Sequence, residues 1–196
     1  MKNEYSISEF IQTAYAFVCT KLFFKKARLI RRPFYIRGKS SFKYEIGLTT
    51  GHACRFDLKG GNVKTLFIGK NCEIGDNVHI VAHEEITIGD NCLMASKIFI
   101  SDTNHGNYSG INQSSPDIPP NDRKHFTNPV KIGNNVWIGE NVCILQGVSI
   151  GDGVIIGANS VVNKDLPANC IAVGSPVKIK KEYDKNDGKW NRIPSK

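Results

Sequence analysis

Residues 132–167 read IGNNVWIGENVCILQGVSIGDGVIIGANSVVNKDLP. At a spacing of six stand Ile132, Ile138, Ile144, Ile150, Ile156 and Val162, and four places after each come Val136, Val142, Val148, Val154, Ser160 and Leu166. Two positions in every six are therefore committed to an interior. Glycine follows the aliphatic residue in IGNNVW, IGENVC, IGDGVI and IGANSV, where it admits a tight corner that a side chain would obstruct. A period of six fits neither an amphipathic helix nor an ordinary alternating strand. It predicts a solenoid, in which each hexad is one short parallel strand plus a corner and each coil covers the inward side chains of the next.

Working outward, Ile68, Ile74 and Ile80 begin an earlier array, and Ile88, Met94 and Ile100 continue it after two extra residues, Ile86 and Thr87. With three hexads to a coil, residues 68–85, 88–105, 132–149 and 150–167 make four coils. Segment 106–131 lacks the repeat, is polar and carries four prolines, so it is expected to project from one corner as a functional loop. The hexad pattern in 36–67 is weaker. Near the start, Phe10, Ile11, Ala14, Phe17, Val18 and Leu22 are spaced as one face of a helix, with Ser6 or Ser8 as its cap and Pro33 as its stop. The expected organisation is an N-terminal helical and basic segment (1–35), a β-helix domain (36–175) and a basic C-terminal tail (176–196).

Composition narrows the function. The chain has 196 residues, 40% of them hydrophobic, and a formal net charge of +8, so some partner or surface is expected to be anionic. Nucleic acid is set aside, because no recognised module and no interleaving of aromatic with basic residues occurs. The six cysteines form no CxxC pair, and no basic, apolar and small-residue signal regions follow one another at the start, which together predict a reducing, cytoplasmic setting. The longest uncharged stretch, Phe10 to Thr20, is too short to span a bilayer.

The repeat, with the motifs VWIGENV, IGANSVVNKD and AVGSPVKIKK, resembles the hexapeptide-repeat acyltransferases of the sugar O-acetyltransferase subgroup over roughly residues 65 to 181. That resemblance implies a left-handed parallel β-helix, mainly β, working as a homotrimer with acetyl-CoA as acyl donor, a sugar hydroxyl as acceptor and no metal. It places the general base at the start of the projecting loop, which is His105 in ISDTNHGNYSG, with His83 and then His125 as the next candidates. Asp102 is the nearest carboxylate to orient that base. Glu85 is the second, because it holds the equivalent place one coil below His105.

The resemblance lays the pantetheine arm along Glu140, Ala158 and Asn163, the phosphates on Lys164, Lys178 and Lys181, and the oxyanion near the backbone of Gly139 and Glu140. Trp137 matches the family's tryptophan, either packing on a corner or touching ligand. Simple galactoside and maltose acetyltransferases use an asparagine and an aspartate for the acceptor sugar where this chain has Gly75 and His83. The closer resemblance is to O-acetyltransferases of lipopolysaccharide O-antigen or capsule assembly, which implies a sugar or lipid-linked oligosaccharide held by His83 and Asn104 at the cytoplasmic membrane face. Phe23 and Phe24 beside Lys25, Lys26, Arg28, Arg31 and Arg32 suit such a peripheral site, although the same helix with its apolar face turned inward would cap the solenoid. Two other readings stand beside this one: a zinc-dependent hydratase of the gamma-class carbonic anhydrase type, drawing on His79 and His83, and a non-catalytic β-helix that binds another polysaccharide-assembly protein. A flat ladder of threonine or asparagine would favour the latter, and no such ladder is visible in the sequence.

Overall fold

A computed structural model describes residues 6–193. Apart from one helix, Ile7–Phe23, the chain is mainly β and winds as a parallel β-helix with three faces. Short strands stack in register from coil to coil on each face. On the first face Ile74, Met94, Ile138 and Ile156 align; on the second, Ile80, Ile100, Ile144 and Val162; on the third, Ile68, Ile88, Ile132 and Ile150. Each of these side chains is at most 3% exposed, as are Val136, Val142, Val148, Val154 and Leu166. The core is thus a column of aliphatic layers filled by the two inward positions of each hexad. Ser160 occupies one of those positions because its hydroxyl has two partners, donating to the Gly157 carbonyl and accepting from Gly174 N–H at 2.9 Å.

The corners divide their task between two residues. After the aliphatic residue the glycine keeps an ordinary φ but lies against the next coil, and a Cβ on Gly89 would come within 2.7 Å of the Gly133 carbonyl carbon and oxygen. The left-handed turn falls two places later, on Asn71, Asn91, Asn135, Asn141 and Asn159, a conformation that asparagine tolerates. Some of these asparagines pair between coils, as Asn141 Nδ2 with Asn159 Oδ1 at 2.8 Å. They sit on corners and make no flat binding face.

Two corners keep strict six-residue spacing, and the third takes every insertion. From the second face to the third the chain runs Ile36 to Tyr44, Phe56 to Ile68, Ile80 to Ile88 and Ile100 to Ile132. The two extra residues near position 86 therefore lie in the turn 83–85, and Ile86 is an inward residue of strand Ile86–Ile88. Residues 36–67 belong to the same solenoid, whose first strand is Leu29–Ile30. Past Cys170–Val173 the chain reverses into two antiparallel strands, Lys178–Asp184 and Lys189–Arg192, that extend the first face.

The helix starts where Ser6 and Glu9 form a reciprocal capping box, and it ends at Phe23, ten residues short of Pro33. Phe24 turns inward there to join Phe34, Phe56 and Phe42 in edge-on contacts of 5.1 to 5.7 Å. These four rings close the end of the solenoid. The helix buries only Ala16 and Thr20, so its apolar face points away from the body and does not cap it.

Candidate active site at the insertion corner

The corner that takes the insertions gathers three of the five histidines. The excursion begins three residues earlier than the repeat implies: Thr103–His105 leaves the coil and pairs antiparallel with His125–Thr127, with His105 directly opposite His125. The His105 and His125 rings meet edge to face at 4.7 Å, and His125 stacks on His83 at 5.5 Å with the rings 10° from parallel. His83 belongs to the turn of the coil below, so the hairpin brings together residues 42 positions apart in the chain. His83 and His125 line a cleft of about 390 Å³ with Lys59, Val63, Glu84 and Thr127. His105 stands exposed at its edge.

The excursion is tied to itself. The Tyr108 hydroxyl donates to the His105 carbonyl and accepts from Arg123 Nη1 at 2.6 Å, while Arg123 Nε donates to the Ile118 carbonyl at 2.8 Å. These contacts hold the backbone of His105 and do not engage its ring.

Neither proposed carboxylate reaches that ring. Asp102 is fully buried, and its carboxylate accepts from the backbone N–H groups of His83 at 2.9 Å, Glu84 at 2.8 Å and Glu85 at 2.9 Å. It fixes the turn that carries His83. Burial pushes this carboxyl above its ordinary range, and the N–H donors pull it part of the way back. Glu85 is displaced by the register: Ile86 lies opposite Val130, so the residue stacked on Glu85 is Pro129 and not His105. An imidazole is instead the nearest ring neighbour of His105.

The remaining candidates fall into two groups. Asn104 and Asn163 share a cleft of about 250 Å³ with Ser101, Thr103, Leu145 and Gln146, and Lys164 follows on the same corner two coils above His105. Trp137 lies elsewhere, half exposed on the first face between Leu93 and Ile155, with Glu140 and Ala158 on the corner that follows. Lys178 and Lys181 lie on the strand that pairs with Cys170–Val173. Glu140 is exposed and meets Lys97 at 3.3 Å. The Gly139 N–H donates to the Ile156 carbonyl at 2.8 Å, so it is engaged in the coil and is not free for an oxyanion. Within one chain the Trp137 group and the histidine corner do not meet.

His79 points from the second face, where its Nε2 lies 3.0 Å from Asp57 Oδ2, away from His83. Among the described residues no group of three or more His, Cys, Asp or Glu is placed to hold a metal ion. Lys59 and Glu84 are cleft residues that the sequence reading did not single out. Their only trace in the sequence is position, since each lies in a break of the hexad pattern.

Residues 129–164 match the family described as bacterial transferase hexapeptide (six repeats), and residues 66–96 the hexapeptide repeat of succinyl-transferase. An Escherichia coli (strain K12) protein assigned to lipopolysaccharide biosynthesis as an O-acetyl transferase, WbbJ, is 39% identical over 193 residues, covering 98% of this chain and 97% of its own length. A galactoside acetyltransferase solved in complex with coenzyme A has a TM-score of 0.53 at 28% identity, covering 87% of this chain and 70% of that one. AntD, an N-acyltransferase from Bacillus cereus solved as a variant with dTDP and coenzyme A, has a TM-score of 0.62 at 25% identity, covering 78% of this chain and 80% of that one. With stacked hexads, one insertion corner and such a relative matched nearly end to end, the chain belongs to the bacterial hexapeptide-repeat transferases, among their O-acetyltransferases.

Proposed function

We propose that this chain moves an acetyl group from acetyl-CoA to a sugar hydroxyl in the building of lipopolysaccharide O-antigen or another surface polysaccharide, with His105 as general base. The observation that supports the site is the corner itself, where an exposed imidazole stands over a cleft in a fold whose other two corners are closed by small residues, glycine or alanine, packed on the next coil. A neutral imidazole nitrogen takes the hydroxyl proton as the sugar oxygen attacks the thioester carbonyl. Collapse of the tetrahedral intermediate breaks the C–S bond, and the imidazolium returns its proton to the departing CoA sulfur. His125 and His83 align on the acceptor side, and Asn104 faces the cleft shared with Asn163, along which the pantetheine arm is laid. Lys164, Lys178 and Lys181 serve the phosphates as point charges.

A second copy completes this reading. Trp137, Glu140 and Ala158 lie on a different edge from His105, so a site that uses both edges takes one from each of two chains, and a homotrimer closes the set with three such sites. The solenoid is the catalytic unit, the strands after residue 176 its phosphate-binding extension, and the segment before residue 36 its contact with the cytoplasmic membrane face. The acceptor is lipid-linked on the strength of the relative assigned to lipopolysaccharide biosynthesis; the dTDP bound by AntD makes a nucleotide-linked sugar the alternative to test.

The test is release of free CoA from acetyl-CoA against lipid-linked, nucleotide-linked and free sugars. His105→Ala is expected to lower kcat by about two to four orders of magnitude. Its melting temperature and CoA binding should hold, because an exposed ring leaves no cavity when removed. Near-normal turnover in that variant overturns the assignment, and a monomer by light scattering overturns the shared site.

A further inference from the structure

The helix Ile7–Phe23 is turned inside out. Its buried contacts are Ala16 and Thr20, and the Thr20 hydroxyl is engaged twice, donating to the Ala16 carbonyl at 2.7 Å and accepting from Ile30 N–H at 2.8 Å. On the opposite side, at helical spacing, stand Ile7, Phe10, Ile11, Val18 and Leu22, between 56% and 82% exposed. Glu9 is the helix's one acidic residue; it faces the Ala16 side and is engaged in the capping box. A helix that packs its alanine and threonines against the protein and shows its aliphatic and aromatic residues to the outside is built for a second surface.

The charge around its base says which. Nine of the chain's lysines and arginines lie between residues 20 and 45. Lys26, Arg28 and Arg37 pair with Glu45, Glu73 and Asp57, and the other six have no acidic partner among the described residues. Two copies meeting through this face would bring two such basic collars together. An anionic surface neutralises them. At 17 residues the helix is shorter than the roughly 20 needed to cross a bilayer, and no described helix is long and apolar enough to do so. Lying flat in the headgroup region suits an apolar face flanked by lysine and arginine.

We propose that the outward face of this helix docks the enzyme on an anionic phospholipid surface, with Phe10, Ile11, Val18 and Leu22 entering the interface and the basic collar meeting the headgroups. The orientation has a consequence for the site. The helix lies at the end of the solenoid where coils begin, and the histidine corner lies two to three coils on, roughly 10 to 15 Å at the ordinary interstrand spacing. A docked enzyme thus carries its cleft close above the headgroups. The docking deepens the membrane contact proposed above, and only this last point rests on the lipid-linked acceptor as well.

The test is sedimentation of the full chain with vesicles of phosphatidylcholine alone and of phosphatidylcholine with phosphatidylglycerol. Binding is expected only to the anionic vesicles, falling with added salt. The double variant Phe10→Ser, Val18→Ser should abolish it while the melting temperature and acetyl transfer to a soluble sugar stay unchanged, since neither side chain is buried. Lys25→Gln and Lys26→Gln should each weaken binding about fivefold. Absence of sedimentation with any vesicle overturns the proposal. So does a serine variant that changes the oligomeric state in the absence of lipid, which would assign the face to a second copy. Should transfer to every sugar fail while vesicle binding persists, the acceptor reading falls and the docking stands.

Discussion

Replacing Asp102 separates two roles that a carboxylate three residues from the base can have. In the folded chain its Oδ2 accepts from Glu84 N–H at 2.8 Å and Glu85 N–H at 2.9 Å, and its Oδ1 accepts from His83 N–H at 2.9 Å. Asp102→Asn keeps one acceptor oxygen and sets an NH₂ group against a backbone donor. One charge-assisted hydrogen bond is lost and one N–H is left facing another, a cost of about 2 to 3 kcal/mol. Asp102→Ala removes all three acceptors. Residues 84 and 85 are exposed, so water can reach part of that turn, and the expected cost is about 3 kcal/mol, within the 3 to 5 kcal/mol found when one partner of a buried charged contact is deleted. Against the 5 to 15 kcal/mol that holds an ordinary domain together, either change is measurable by urea unfolding as a lower midpoint with an unchanged slope. The turn carries His83, so the KM for the acceptor should rise along with the loss of stability. A variant that unfolds like the parent yet loses kcat would refute this reasoning and return Asp102 to the role of orienting His105 directly.

Other expectations follow from the same geometry. Gly89→Ala should lower the melting temperature, by about 1 to 3 kcal/mol of overpacking, because the new Cβ meets the backbone of Gly133 and neither coil can move apart without breaking its ladder; thermal scanning checks it, and an unchanged Tm would deny the coil-to-coil contact. Replacing Lys164, Lys178 and Lys181 together with alanine should raise the KM for acetyl-CoA more than it lowers kcat, since contacts remote from the breaking bond contribute mostly uniform binding; steady-state kinetics in which KM does not move would remove these lysines from the donor site. Burial raises the Asp57 carboxyl, but hydrogen bonds from Arg55 and His79 and the charge of Arg37 outweigh it and hold it below its ordinary value. A depressed carboxylate stabilises the fold above the unfolded-state value near 3.8 and loses that contribution as pH falls through the folded one, so the stability gap between parent and Asp57→Asn should close on acidification below pH 4. Unfolding curves whose gap is independent of pH would contradict this.

Residues 132–167 were legible because every inward position but Ser160 is aliphatic and glycine follows the aliphatic residue in four of the six hexads, two independent signals at one period. Residues 34–67 obey the same geometry with different chemistry: Phe34, Phe42, Leu48, Cys54 and Phe56 face inward, and the turn between Leu58 and Leu66 breaks the count. Aromatic residues at the end of a solenoid close it where no further coil follows, and that requirement erases the aliphatic signature. The helix was legible from spacing alone, but spacing says which residues share a face and not which way the face points. Ala16 and Thr20, which the spacing does not single out, are the buried contacts. At the candidate site, the break in the repeat pointed to the corner where three histidines meet, while two errors of register came from it. Ile86 looked like an inserted residue because it precedes an equally aliphatic Ile88, and that placed Glu85 under His105. The pairing of His105 with His125 had no periodic signal, since a three-residue strand is too short to show alternation.

The confinement of insertions to one corner explains why titratable side chains gather there. On the other two corners a glycine touches the next coil's backbone, and an added residue would either part the coils or turn an inward side chain outward, because a shift of one position in a strand exchanges its faces. The strict spacing of those corners is therefore what the hydrophobic column demands. The third corner is exempt: Lys59–Thr65, the turn 83–85 and the excursion after Asp102 lengthen it without moving Ile68, Ile88 or Ile132 from register. Polar and titratable residues accumulate where length is free, and three successive coils supply them side by side at strand spacing. His83 from one coil and His105 and His125 from the next are neighbours for that reason, and the buried Asp102 is the point at which the rigid column holds the first of them in place.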